Sequence, residues 1–149
     1  MRRTALGLSL VLSAGCAVGY KASYVTGAVT KQFSTESYGI YSEQFNKKID
    51  ECCAGDSCNP ESPDVITKSE LDKCMGPKYE NATHEKIELA IDVYYEAAKV
   101  HSSVMQIVEG SEEERKAATN ALLESAISLL ELLPDGDKLV SKLKKLTGR

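Results

Sequence analysis

The sequence predicts an all-α fold, a small antiparallel helical bundle that contains a helical hairpin and is braced by disulfides. Apolar residues recur at spacings of three and four along most of the chain, which is typical of helices that bury one face. Proline and glycine occur together at a few places between these stretches, where connections are expected. A length of 149 residues suits a single domain.

The first long helix is expected from about Thr35 to Cys53. Its apolar residues share one helical face: Tyr38, Tyr41, Phe45, Ile49 and Cys52. Residues 17–31 combine Gly19 and Gly27 with tyrosines and valines and show no clean periodicity. They predict a tether that is helical at most near its end.

A loop and a short helix are expected next. Residues 54–65 contain an Asn-Pro and a Ser-Pro step, and proline both removes a backbone donor and restricts the residue before it. Thr67 and Glu70 then have the spacing of a capping box, and the Gly-Pro step at 76–77 ends the element. This pattern predicts a helix of about two turns.

The clearest helix is expected from about Ala82 to Gly110. Its apolar stripe alternates spacings of four and three: Ile87, Ile91, Tyr94, Ala98, His101, Met105 and Val108. Gly110 suits a left-handed C-cap, and Ser111 with Glu114 offers a second capping box. The chain is therefore expected to fold back at once.

The return helix, from about Glu112 to Leu133, is apolar over a wide arc. Such breadth predicts contact with two neighbouring helices or with a partner protein. Residues 134–137 end this helix, and a last amphipathic helix is expected over 138–147. Four tyrosines are expected where the first helix meets the hairpin: Tyr38, Tyr41, Tyr94 and Tyr95.

The first 15 residues have the pattern of an export leader. Arg2 and Arg3 give a positive start, and residues 5–14 are apolar over the length of a signal peptide rather than of a membrane-spanning helix. Ala14 and Gly15 are small residues that directly precede Cys16. Ordinary signal cleavage followed by secretion is one reading of this pattern.

The same residues resemble the lipobox of bacterial lipoproteins: Ala14, Gly15 and Cys16 match it, and Ser13 stands where leucine is usual. The resemblance implies that Cys16 receives a diacylglyceryl group and becomes the processed N-terminus. It also implies that Ala17 favours the outer membrane. Two or three acyl chains together hold a protein stably on a bilayer.

These observations divide the chain into three parts. We expect a lipoprotein signal peptide at 1–15, a lipidated N-terminus and tether at 16–33, and a helical domain at 34–149 with a disulfide-braced loop at 52–77. Without the leader, 16 basic and 22 acidic residues remain, a net charge of −6. Such a surface repels phosphate backbones, so nucleic acid is not an expected partner.

Cys52, Cys53, Cys58 and Cys74 remain after the leader, and an even number in an exported chain favours disulfides. A bridge between adjacent cysteines is strained. Two pairings are left: Cys52–Cys74 with Cys53–Cys58, or Cys52–Cys58 with Cys53–Cys74. Zinc binding is the alternative, but the spacing lacks paired Cys-x-x-Cys knuckles.

The two histidines give little basis for a metal or catalytic site. His84-Glu85 begins like a zincin motif, but Glu88 stands where the second histidine is needed. His101 lies on the apolar stripe with Met105 one turn later, and we expect a hydrogen-bonded histidine at a helix interface. We expect no catalytic residue, no metal site and no cofactor.

Lys138, Lys142, Lys144 and Lys145 make the last helix basic, which complements the negative helix end or attracts anionic lipid or cell-wall polymer. We interpret the chain as a non-enzymatic lipoprotein, anchored on the periplasmic side of the outer membrane, that acts by binding an envelope protein. A loose similarity to lipoproteins of bacteria and phages gives a phage outer-spanin or superinfection-exclusion role as one alternative. A helical bundle that binds a small ligand or cofactor around His101 is the other.

Overall fold

The computed structural model describes residues 5–53, 58, 66–107 and 110–148, with side chains from residue 19 onward. Within this part of the chain the fold is all-α and contains no strand, which confirms the predicted class. The helices are α1 (Ala5–Cys52), α2 (Lys68–Met75), α3 (Asn81–Gln106), α4 (Glu112–Leu132) and α5 (Gly136–Thr147).

Helix α4 forms the centre of the bundle because it packs against α1, α3 and α5. Five of its apolar side chains have no exposed surface: Leu122, Leu123, Ala126, Leu129 and Leu130. The wide apolar arc of this helix therefore serves contacts with neighbouring helices of the same chain.

Helix α1 starts at Ala5, so the predicted start near Thr35 is wrong, and the segment expected to be a tether is helical. Its residues also pack in the bundle: Thr30 and Ser34 are fully buried, and Phe33 is 8% exposed. Periodicity of apolar residues misses this stretch because several of the positions that it buries are small or polar.

The hairpin of α3 and α4 forms as predicted, with small differences at the turn. Helix α3 ends at Gln106, and its C-cap Ile107 is extended, with φ −81° and ψ 103°. Gly110 donates its amide to the Ile107 carbonyl, and the C-cap of α3 is Ile107 rather than Gly110, so that part of the prediction is wrong. The capping boxes of α2, at Thr67 and Glu70, and of α4 are both present.

Helix α5 starts two residues earlier than predicted, after a left-handed residue, Asp135, with φ 62°. A Cβ atom at Gly136 would lie 2.6 Å from the Leu130 carbonyl oxygen and 2.9 Å from that of Glu131. Only glycine therefore fits at this close approach between α5 and the end of α4.

Three of the four tyrosines predicted to lie between α1 and the hairpin, Tyr38, Tyr41 and Tyr94, do lie there. Tyr41 and Tyr94 are 2% and 1% exposed, and the Tyr38 hydroxyl donates to Glu88 at 2.6 Å. Burial and the Glu88 carboxylate raise the pKa of Tyr38. Tyr95 is 50% exposed, so its predicted place in the seam is wrong.

Candidate functional site

The cysteines lie at disulfide distance in the first of the two pairings left open by the sequence. The sulfurs of Cys52 and Cys74 are 2.07 Å apart, with Cα atoms separated by 5.8 Å, and Cys53 pairs with Cys58. The alternative pairing, in which Cys52 joins Cys58, is wrong. The Cys52–Cys74 bridge fixes α2 to the carboxyl end of α1, where Met75 is buried.

Cys16 lies on the helical backbone of α1, but its side chain is outside the part that the structure describes. Its lipidation stays a prediction. Among the described residues, none of the helices combines the length and the apolar character that crossing a bilayer requires.

The basic residues of α5 follow two directions. Lys138, Lys142 and Lys145 are exposed at spacings of four and three and share one side, whereas Lys144 lies about a third of a turn away. Lys138 is 3.0 Å from the Asp135 carboxylate, and Lys142 Nζ is 5.4 Å from the centre of the buried Phe33 ring. The side chains of Lys138 and Lys142 thus contact other residues of the same chain.

His84 belongs to a cluster of rings between α1 and α3. Its Nδ1 is 2.9 Å from the Tyr41 hydroxyl, and its ring stacks on Phe45 with centroids 3.7 Å apart. The Glu88 carboxylate is 3.9 Å from Nε2. Burial and nearby charges raise the pKa of Tyr41 to about 12. These contacts give His84 a structural role in the seam.

His101 lies at the interface of α1 and α3, as predicted, and is 2% exposed. Among the described residues, neither ring nitrogen has a hydrogen-bond partner of standard geometry, and the backbone of Ser23 supplies a polar contact instead. The ring lies against the backbone of Gly27, where a Cβ atom would be 2.5 Å from Nε2. Burial lowers the pKa of His101, the charge of Lys31 lowers it further, and a backbone contact at Ser23 acts in the opposite direction.

A cleft of about 470 Å³ opens beside this histidine. We call it the His101 cleft; it is lined by Tyr20, Tyr24, Ala28, Lys31, His101, Ser102, Met105 and Gln106. The Tyr20 hydroxyl donates to the Met105 carbonyl at 2.9 Å, and the Lys31 ammonium donates to the Ser102 hydroxyl. Burial lowers the pKa of Lys31. The cleft is therefore mainly apolar, with one cation at its edge.

The face of α3 that points away from the bundle carries a second row of residues. We call it the outer row; it alternates spacings of four and three and comprises Ala82, Lys86, Leu89, Val93, Glu96, Val100 and Ser103. All of these residues are exposed, with Leu89 at 68%, Val93 at 56% and Val100 at 54%. Sequence reasoning missed this row because Lys86 and Glu96 interrupt its apolar character, although the spacing itself was visible.

A shallow groove of about 380 Å³ runs beside the outer row, between α3 and α4. We call it the α3–α4 groove; it is lined by Lys86, Leu89, Ala90, Val93, Ser125, Ser128 and Leu132. Leu132 of α4 is itself 38% exposed. The groove therefore continues the aliphatic surface of the outer row onto the neighbouring helix.

Within the described ranges, no group of three or more histidine, cysteine, aspartate or glutamate side chains could hold a metal ion. Comparison of the chain with protein-family models, curated protein sequences and solved structures finds no significant match. The candidate sites are accordingly the two surfaces that the geometry provides, the outer row with its groove and the His101 cleft.

Proposed function

We propose that the chain is an exported lipoprotein whose helical domain binds another protein at a membrane surface of the bacterial envelope. Lipid on Cys16 would hold the domain on the periplasmic face of the outer membrane, and the outer row of α3 would form the contact. The domain acts by binding and catalyses no reaction.

The observation that carries the proposal is the exposed aliphatic surface of the outer row. Leu89, Val93 and Val100 each leave more than half of their surface in water. Complete burial of such a side chain is worth about 1.5–3 kcal/mol, and contiguous exposed apolar patches on soluble proteins commonly mark interaction sites. The α3–α4 groove enlarges this patch with Leu132. A protein partner that covers the patch would recover that free energy.

Export is supported by the cysteines as well as by the leader. Two cysteine pairs lie at disulfide distance, and disulfides persist mainly in oxidising compartments. The bacterial periplasm is such a compartment, and a lipobox cysteine delivers its protein there.

Intact-mass spectrometry of protein extracted from membranes tests the proposed processing and localisation. We expect removal of residues 1–15, an acyl mass on Cys16, and the loss of hydrogens that corresponds to two disulfides. Unprocessed protein in the cytosol, with all cysteines reduced, would contradict the proposal.

Photo-crosslinking in the native host tests the binding surface. A photoreactive residue at position 93 is expected to give protein adducts. The control is the same photoreactive residue in place of Lys47, an exposed position of α1, and we expect it to cross-link none of the proteins captured at position 93. The adducts at position 93 should disappear when Leu89 is replaced by serine, because the aliphatic surface is then reduced. Identical adducts at both positions would count against a specific site on α3.

The His101 cleft supports a second candidate function, the binding of a small ligand. Its apolar walls and the Lys31 ammonium suit an aromatic or aliphatic molecule that carries one negative charge. Titration with an aromatic sulfonate dye measures this binding by fluorescence. We expect Lys31→Gln to weaken binding, with Lys47→Gln as the control. Dye binding that is equal in both variants would exclude the cleft, and an absorbance spectrum of purified protein would reveal a bound chromophore.

A further inference from the structure

The outer row has the spacing of a coiled-coil seam. Its seven residues alternate four and three, so they occupy successive a and d positions, with Lys86, Val93 and Val100 at a and Leu89 and Glu96 at d. The buried stripe of α3, which includes Ile91 and Tyr94, lies on the opposite side of the helix. One helix thus carries two seams, one used inside the bundle and one free among the described residues.

We propose that the outer row pairs with the outer row of a second copy of this chain, with the two α3 helices antiparallel. This inference rests on the proposed function, since it names the protein that covers the binding surface. Its basis is the order of charged and aliphatic residues along the row. In an antiparallel pair this order places opposite charges beside each other, whereas in a parallel pair it places like charges together.

In an antiparallel pair, each a residue lies level with a d residue of the other helix. If Leu89 lies level with Val93 of the second copy, then Lys86 lies level with Glu96 of that copy. The symmetry repeats both contacts, so two aliphatic layers are flanked by two pairs of opposite charge. Ala82 and Val100 form the next layer outward.

Other arrangements of the same two helices lose this complementarity. A parallel pair in register places Lys86 beside Lys86 and Glu96 beside Glu96, which juxtaposes like charges. An antiparallel pair shifted by one heptad places either Glu96 against Val93 or Lys86 against Leu89, depending on the direction of the shift. Either shift desolvates a charged group against an aliphatic side chain, and for Glu96 the nearest cation is then Lys99 of its own helix, at 3.9 Å. Charge order therefore selects the register in which Leu89 meets Val93.

The flanks of the row agree with this register, with one exception. Ala90 and Ala97 lie on one flank, where small side chains allow close approach. On the other flank, Glu85 lies toward Lys99 of the second copy, although within one chain Glu85 is 3.8 Å from Lys68 and Lys99 is 3.9 Å from Glu96. Asp92 lies opposite Asp92 of the second copy, which is a like-charge contact that opposes pairing.

A zero-length cross-linking experiment tests the register directly. The lipidated protein, extracted in detergent, is treated with a carbodiimide, which joins an amine and a carboxylate only when they are in contact. Lys86 and Glu96 are ten residues apart on one helix, or about 15 Å, so a bond between them must join two chains. We expect this cross-link in a dimer, and a mixture of ordinary and isotope-labelled chains should show it as intermolecular.

Charge-reversal variants at Lys86 and Glu96 provide a second test, in which sedimentation equilibrium measures self-association. Lys86→Glu or Glu96→Lys alone should weaken self-association by about tenfold or more, because each creates two like-charge pairs. An equimolar mixture of these two variants should restore it, since their charges are complementary to each other, and the double variant Lys86→Glu with Glu96→Lys should restore it as well. Asp92→Asn should tighten the dimer. Lys47→Glu is the matched control and should leave association unchanged.

A chain that stays monomeric with no bond between Lys86 and Glu96 would overturn the pairing. Association that ignores the charge exchange would also overturn it. Circular dichroism checks that each variant remains helical, which is expected because every substituted residue is exposed. Failure of the pairing is distinguishable from failure of the proposed function: adducts of a different protein at position 93 would refute the second copy and retain the binding surface.

Discussion

A methyl group at residue 27 probes a close contact between α1 and α3. In Gly27→Ala, the new Cβ atom would overlap Cε1 of His101 and lie 2.5 Å from Nε2 and 3.0 Å from Nδ1. The imidazole is 2% exposed, so it has little space in which to move while the helices keep their positions. The ring must leave the interface, or the amino half of α1 must separate from α3.

The expected loss of stability is the difference between two effects. Overpacking of a filled interface costs up to about 3 kcal/mol. Alanine in place of glycine inside a helix raises the free energy of unfolding by about 1 kcal/mol. The net loss is therefore up to about 2 kcal/mol, which lowers the Tm of a domain of this size by up to about 8 °C.

Thermal and urea unfolding followed by circular dichroism at 222 nm measure this loss. Gly39→Ala is the matched control, because Gly39 lies on the same helix and, among the described residues, nothing lies within 4 Å of the point that its Cβ atom would occupy. The control should gain about 1 kcal/mol from helix propensity alone. Replacing His101 with alanine in the Gly27→Ala chain should remove the clash, so that the two substitutions are less costly together than their sum. Equal stability of the Gly27 and Gly39 variants would refute the contact.

Three further predictions concern the core and its charges. Ile91→Asp places a carboxylate at a position that is 3% exposed, so the domain should unfold, and a variant that keeps its helical signal and Tm would remove Ile91 from the core. Gly136→Ala should lower stability by about 2–3 kcal/mol in urea unfolding, because its Cβ would meet backbone oxygens of α4 that cannot rotate away, and an unchanged urea midpoint would contradict this contact. Because the pKa of His101 is lowered from 6.5 on folding, the unfolded chain binds a proton that the folded chain resists, and stability should fall as the pH decreases below about 6.5. His101→Gln should reduce this slope in urea titrations across that range, and an unchanged slope would show that other groups cause it.

The hairpin of α3 and α4 could be predicted closely from the sequence because its determinants are local. The capping box of Ser111 and Glu114 fixes where α4 begins, and the dense apolar stripe of α3 leaves few choices of face. Both signals lie within one or two turns of the residues that they place.

The amino half of α1 and the outer row could not be predicted in the same way. Thr30 and Ser34 are buried only because α3 and its neighbours lie against them, and a polar residue carries no apolar signal of that burial. The disulfide pairing likewise depends on the position of α2 across the end of α1, which is a property of the whole bundle. The row on the far side of α3 is visible as spacing, but its exposure follows only from the packing of the other face.

Helices α1 and α3 run in opposite directions, since Tyr20 meets Met105 at one end and Tyr41 meets His84 at the other. Ile91, the centre of the proposed pairing, is therefore level with the region of α1 near Ser34, about 27 Å along the helix from residue 16. In the proposed antiparallel pair, the two ends that we propose to be acylated would lie about 54 Å apart along the helix direction, at opposite ends of the particle. The lipids of both ends can enter one leaflet only if the long axis of the dimer lies parallel to the membrane surface. The height of the dimer above a supported bilayer would then be the width of a few helices.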